Sequence, residues 1–99
     1  MISRQWRGIA RPAAAEQYVE HLRSETFPQL SGIPGFIDGS ILRRRVIDGV
    51  EFMIVTRWAS LDAIRSFAGD SAERAVVPEQ VQRMLVRYDA VATHYEIVA

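Results

Sequence analysis

The stretch Phe36-Ile-Asp-Gly-Ser-Ile-Leu-Arg-Arg-Arg-Val-Ile-Asp48-Gly49-Val-Glu-Phe-Met-Ile-Val-Thr-Arg-Trp58 decides the fold. Asp48-Gly49 stands between two runs rich in apolar and β-branched residues. This is the strongest short hairpin signal, because a type I′ turn needs positive φ at both central residues. The second run is apolar on both faces, with Phe52 and Ile54 on one and Met53 and Val55 on the other. A strand buried on both sides needs two covers. A chain of 99 residues has helices for only one. The second cover is expected from another copy of the chain, making a homodimer.

The rest of the chain is read outward from the hairpin. Residues 2–10 form a first strand, with Ile2, Arg4, Trp6 and Gly8 sharing a face. Gly8 marks a bulge or a close backbone approach. Pro12 opens a helix, since proline suits the first turn. Ala15, Tyr18, Val19, Leu22 and Thr26 make its apolar stripe. The helix should fade before Pro28, which cannot continue it, and 31–35 is a loop. Ser60 caps a helix running to Ala68, and Gly69 stops it. Residues 70–77 are irregular. Pro78 opens another short helix reaching to about Leu85, and a last strand spans 90–98. The order is βαββαβ, a ferredoxin-like α+β fold with an antiparallel sheet, in a single domain over 1–99.

Composition removes several function classes. Twelve basic residues balance twelve acidic ones, whereas a nucleic-acid surface shows a basic excess. The run Arg43-Arg44-Arg45 alternates faces on its strand and reads as solvated edge charge. There is no cysteine, hence no disulfide, thiolate metal site or thiol nucleophile. No apolar run approaches the ~20 residues that span a bilayer, and the first residues carry no signal-peptide pattern. A cytoplasmic location is expected. Asp70, Glu73 and Asp89 have no further ligand at helical spacing, so no metal site is expected. Neither a phosphate loop nor a nucleophile elbow is present.

Four segments then carry a resemblance by their order and spacing. They are Trp6-Arg7-Gly8, Pro34-Gly35-Phe36, Trp58-Ala-Ser-Leu-Asp-Ala-Ile-Arg-Ser-Phe67 and His94-Tyr95-Glu96. Over essentially its whole length the chain resembles the antibiotic biosynthesis monooxygenase family. The resemblance implies a dimeric α+β barrel, in which two sheets pack face to face. It implies varied chemistry as well: oxidation of quinols, anthrones or related polyketides by O₂ without a cofactor, haem degradation, or no assigned activity. The haem-degrading branch uses an Asn, a Trp and an iron-ligating His. Trp6, Phe67 and Val77 occupy those positions here, so the iron ligand is lost. The implied function is a cofactor-independent monooxygenase acting on a small aromatic, quinol or polyketide-like molecule, and no cofactor is expected. The alternative is a non-catalytic small-ligand-binding or stress-related dimer.

An oxygenase of this kind needs an apolar cleft, a few polar groups and a general base. Trp6, Tyr18, Trp58 and Phe67 are the expected pocket lining. His94 is the candidate base, although a hydrogen-bonded structural histidine at the barrel wall or dimer seam is the first reading of it, and Arg4 is either the cation that steadies a substrate anion or one half of an ion pair with a carboxylate. His21 reads first as a solvated surface residue, and beside Tyr18 and Leu22 as one that could line a cleft rim. An oxygenase should show an open aromatic cleft with at least one unpaired polar group. A closed pocket with every polar group satisfied would favour the non-catalytic alternative. Haem binding without the usual ligand would need His94 or His21 to point into the cleft.

Overall fold

Strand β1 (Ile2–Ala10) runs through the middle of the sheet in this computed structural model of Met1–Ala99. It pairs antiparallel with β3 (Gly49–Trp58) along its whole length, from Ile2 opposite Trp58 to Ala10 opposite Val50. β3 pairs in turn with β2 (Phe36–Val46). On its other side β1 meets β4 (Leu85–Tyr88) at Gly8–Ala10 and β5 (Thr93–Glu96) at Ile2–Gln5. The order β2-β3-β1-β4 is that of a ferredoxin-like α+β sheet, as the strand order predicts.

One face of the sheet is covered by helices. A short 3₁₀ turn at Pro12–Ala14 leads into α1 (Ala15–His21). A π-helical turn, Leu22–Thr26, joins α1 to α2 (Phe27–Ser31). α3 (Leu61–Ala68) begins where Ser60 Oγ accepts the Ala63 N–H at 3.2 Å and ends at Gly69, whose φ is 87°. α4 (Glu79–Gln82) is a single turn. Against the sheet these helices bury two apolar clusters. Tyr18, Leu22, Phe52, Val81, Met84 and Leu85 belong to the first, and Leu30, Trp58, Ala63, Ile64 and Ala68 to the second.

Four expectations are corrected. The first helix does not fade before Pro28. A proline clashes with the carbonyl four residues back and lacks an N–H. The π turn widens the helix just ahead of it, with the Phe27 N–H bonded to the Leu22 carbonyl, and the chain stays helical to Ser31. The hairpin turn is centred on Ile47 and Asp48, with Val46 opposite Gly49, and neither Asp48 nor Gly49 has positive φ, which excludes type I′. Tertiary contacts fix it instead. Arg87 binds the Asp48 carboxylate, and a Cβ on Gly49 would collide with the Ala10 carbonyl oxygen. The last strand is split in two, and the helix after Pro78 is shorter than expected because Leu85 already belongs to β4. Between β4 and β5 the backbone turns aside to the 69–77 segment, where the Ala92 N–H bonds the Glu73 carbonyl and Arg74 bridges Val91.

The second face of the sheet has no cover within the chain. Met53 and Val55 are half-buried, while Leu42 and Tyr95 are exposed. Ion pairs cross the same surface, Arg57 with Asp38 and Arg44 with Glu51. No helix is long and apolar enough to cross a membrane.

Candidate active site

A cavity of about 360 Å³ lies between the two apolar clusters, under the first helical run. β1 contributes Arg4 and Trp6 from its covered face, and β3 contributes Ile54, Thr56 and Trp58. Tyr18, His21, Leu22, Glu25 and Thr26 come from α1 and the π turn; Phe67, Val76, Pro78 and Gln80 close the far wall. The π turn opens the helix where Leu22, Glu25 and Thr26 meet the cavity. Such turns recur at functional sites.

The walls are aromatic. Trp58 stacks on Phe67 with ring centroids 6.1 Å apart and meets Phe36 edge-on at 5.2 Å. Trp6 is held by its indole N–H, which donates to the Asp89 carbonyl at 2.7 Å. Gly8 makes room for it, since a Cβ there would lie 2.9 Å from the indole ring. Trp58 Nε1 donates to Thr56 Oγ1 at 2.8 Å. The four aromatic residues expected around a pocket all line this one.

Tyr18 is 2% exposed and packs edge-on against Phe52 at 4.9 Å. Its hydroxyl makes no hydrogen bond within the chain, and no sealed side-chain oxygen or nitrogen lacks a partner. The hydroxyl therefore opens into the cavity. Burial pushes its pKa well above the usual value, so it stays a hydrogen-bond donor across the working pH range.

Arg4 is 5% exposed. Its guanidinium donates to the carbonyls of Ala72 and Arg74, and Nη1 lies 2.9 Å from His94 Nε2. Its Cζ sits 5.7 Å from the centre of the Phe67 ring, within cation–π range. Burial lowers the Arg4 pKa, partly offset by the charge of Glu73.

His94 does not line the cavity. It stands behind Arg4, and its Nε2 lone pair is engaged by the guanidinium, which can only donate. A base needs that lone pair free, so this placement does not suit His94 for proton abstraction. His21, for which a cleft rim is the second expectation after the solvated surface, is on the wall. Its side chain is 10% exposed, with Nδ1 2.7 Å from Glu25 Oε2. Gln80 Nε2 lies 3.1 Å from the same Nδ1 and 3.4 Å from Glu25 Oε2. Nδ1 cannot both donate and accept. The shorter contact places the proton on Nδ1, donated to Glu25, and Gln80 then donates to the carboxylate. In this neutral tautomer Nε2 carries the free lone pair. The available signal was the four-residue spacing of His21 and Glu25, which puts both on one helix face. Val77, at the position of the haem branch's iron ligand, does not line the cavity.

No protein-family model matches the sequence, and no curated protein matches it. Solved structures do. A monooxygenase from the gene ActVA-Orf6 of Streptomyces coelicolor, in complex with nanaomycin D, matches with a TM-score of 0.69 at 19% identity over 99% of this chain and 88% of its own. A candidate antibiotic biosynthesis monooxygenase from Bacillus cereus matches with a TM-score of 0.64 at 21% identity over 96% and 89%. The haem degrader MhuD from Mycobacterium tuberculosis, with two haems in its active site, matches with a TM-score of 0.62 at 20% identity over 100% and 97%. At these identities the likeness is one of fold.

Proposed function

We propose, from the fold this chain shares with antibiotic biosynthesis monooxygenases, that it is a cofactor-independent monooxygenase of a small phenolic or quinol-like aromatic. One observation carries the reading. A buried tyrosine hydroxyl with no partner in the chain faces an aromatic cavity, one helical turn from a histidine whose Nε2 is free.

In this reading Trp6, Trp58 and Phe67 hold the aromatic body. His21 Nε2 takes the substrate's hydroxyl proton, and Glu25 orients the imidazole and steadies its positive charge. The Tyr18 O–H donates to the oxygen that becomes negative. The electron-rich anion then reacts with O₂. A new C–O bond forms at the ring carbon and the O–O bond breaks. One oxygen stays as the quinone carbonyl; the other leaves as water with the hydroxyl proton and the ring hydrogen. The substrate supplies all four electrons, two to each oxygen atom.

The monooxygenase class of the Streptomyces coelicolor neighbour supports this reading. The uncovered sheet face supports a homodimer, in which a second copy covers Leu42, Met53 and Val55. One observation favours haem binding as a second reading: His21 is on the cavity wall with Nε2 free.

The test is oxygen uptake by the purified protein with anthrones, hydroquinones and naphthalenediols, without added metal or flavin. Uptake above the spontaneous rate should fall roughly a hundredfold or more in His21→Ala, and it should fall in Trp6→Ala. No uptake across the panel would move the assignment to a non-catalytic binding protein. A Soret band on haem addition that is lost in His21→Ala would favour the haem reading.

A further inference from the structure

We infer that the cavity recognises its ligand by a carboxylate, bound at Arg4, at the end opposite the hydroxyl that reacts. The inference deepens the proposed oxygenase by naming its substrate class, an aromatic acid. Its binding half stands without turnover.

Arg4 is a buried cation. A guanidinium that is 5% exposed normally faces a carboxylate. This one makes no ion pair. Its neighbours are two backbone carbonyls, a histidine and the Phe67 ring. Glu73 pulls on it electrostatically but makes no salt bridge with it. The positive charge is therefore solvated by dipoles and not neutralised.

Donor accounting points the same way. A guanidinium has five N–H donors. Nη1 is used by Ala72 and His94, and Nη2 once by Arg74. The Nε–H and one Nη2 hydrogen have no partner in the chain. No sealed side-chain nitrogen lacks a partner, so Nε reaches the open space that Arg4 lines. Two free donors on a buried, uncompensated cation suit a carboxylate, whose paired oxygens match guanidinium geometry.

The ladder separates this end from the reactive one. Arg4 stands opposite Thr56, and Gly8 opposite Phe52, against which Tyr18 packs. Those rungs are four residues apart, roughly 13 Å along the strand. His21 is one helical turn from Tyr18. A ligand spanning the cavity thus presents an acid to Arg4 and a hydroxyl to Tyr18 and His21, with its rings between Trp6 and Phe67.

The decisive experiment compares naphthoate with naphthamide, which match in size and differ in charge. Quenching of tryptophan fluorescence near neutral pH reads binding to the wild-type protein. Naphthoate should bind about ten- to hundredfold more tightly. Arg4→Gln should reduce that preference to about unity while keeping naphthamide affinity. Comparison of the two ligands on the wild-type protein decides the matter if Arg4→Gln fails to fold. Equal affinity, no naphthoate binding, or an undiminished preference in a folded Arg4→Gln would overturn the inference. Oxygen uptake plays no part in this readout, so a failed oxygenase leaves the acid site standing.

Discussion

Arg4 and His94 face each other across the β1–β5 ladder, with Arg4 Nη1 2.9 Å from His94 Nε2. The guanidinium can only donate, so the imidazole accepts and is neutral. Burial, and then the Arg4 charge, hold the His94 pKa below its usual value against an opposing pull from Glu73. As pH falls, the unfolded chain takes up the proton before the folded one. The stability this pair contributes is present above the ordinary histidine range, around 6.5, and is lost as pH falls toward the lowered folded value. Urea midpoints should drop between about pH 8 and about pH 5. His94→Gln, whose amide oxygen can still accept from Arg4, should show a flatter dependence. Parallel profiles for the two proteins would refute the coupling.

Tyr18→Phe separates catalysis from packing. The ring keeps its edge-on contact with Phe52, and no hydrogen bond within the chain is lost. Unfolding free energy should change little. Turnover should fall about ten- to hundredfold, the loss of a hydrogen bond to a developing anion. A destabilised variant with normal turnover would make the hydroxyl structural.

Glu25→Ala removes the carboxylate 2.7 Å from His21 Nδ1. Its side chain is well exposed, so stability should hold. The imidazole loses its preferred tautomer and the partner that steadies its charge. The rate should drop by about tenfold, less than in His21→Ala. An unchanged rate would remove Glu25 from the mechanism.

Phe52 is fully buried where the sheet meets α1. Phe52→Ala should cost about 3–5 kcal/mol by chemical denaturation, the usual range for deleting a buried aromatic. A loss well below that would mean the first cluster collapses around the gap.

Val55→Asp tests the uncovered face. Light scattering should give a dimer mass for the wild-type protein and a monomer mass, or unfolded material, for the variant. A charge buried without a partner is costly. A wild-type monomer at working concentration would refute the homodimer.

Local chemistry determined much of this molecule. Pro12, Ser60 and Gly69 punctuate the helices, and two apolar runs around a turn make the hairpin, because these effects act within a few residues. Alternation put Arg4 with Trp6 on one face of β1 and Phe52 with Ile54 on one face of β3, and the register between the strands brings the two faces to one cavity. Tertiary structure decided the rest. Gly49 is shaped by the Ala10 carbonyl and Asp48 by Arg87, contacts spanning 39 residues. Pro28 stays helical because the preceding turn widens. His21 lines the cavity and His94 is held behind Arg4 for the same reason: a histidine's use depends on what holds each ring nitrogen. For His94 that is Arg4, 90 residues away. For His21 it is Glu25, four residues on, together with a cavity closed from the far end of the chain. Sequence periodicity assigns a side chain to a face, but only packing decides whether that face meets solvent, protein or an open pocket.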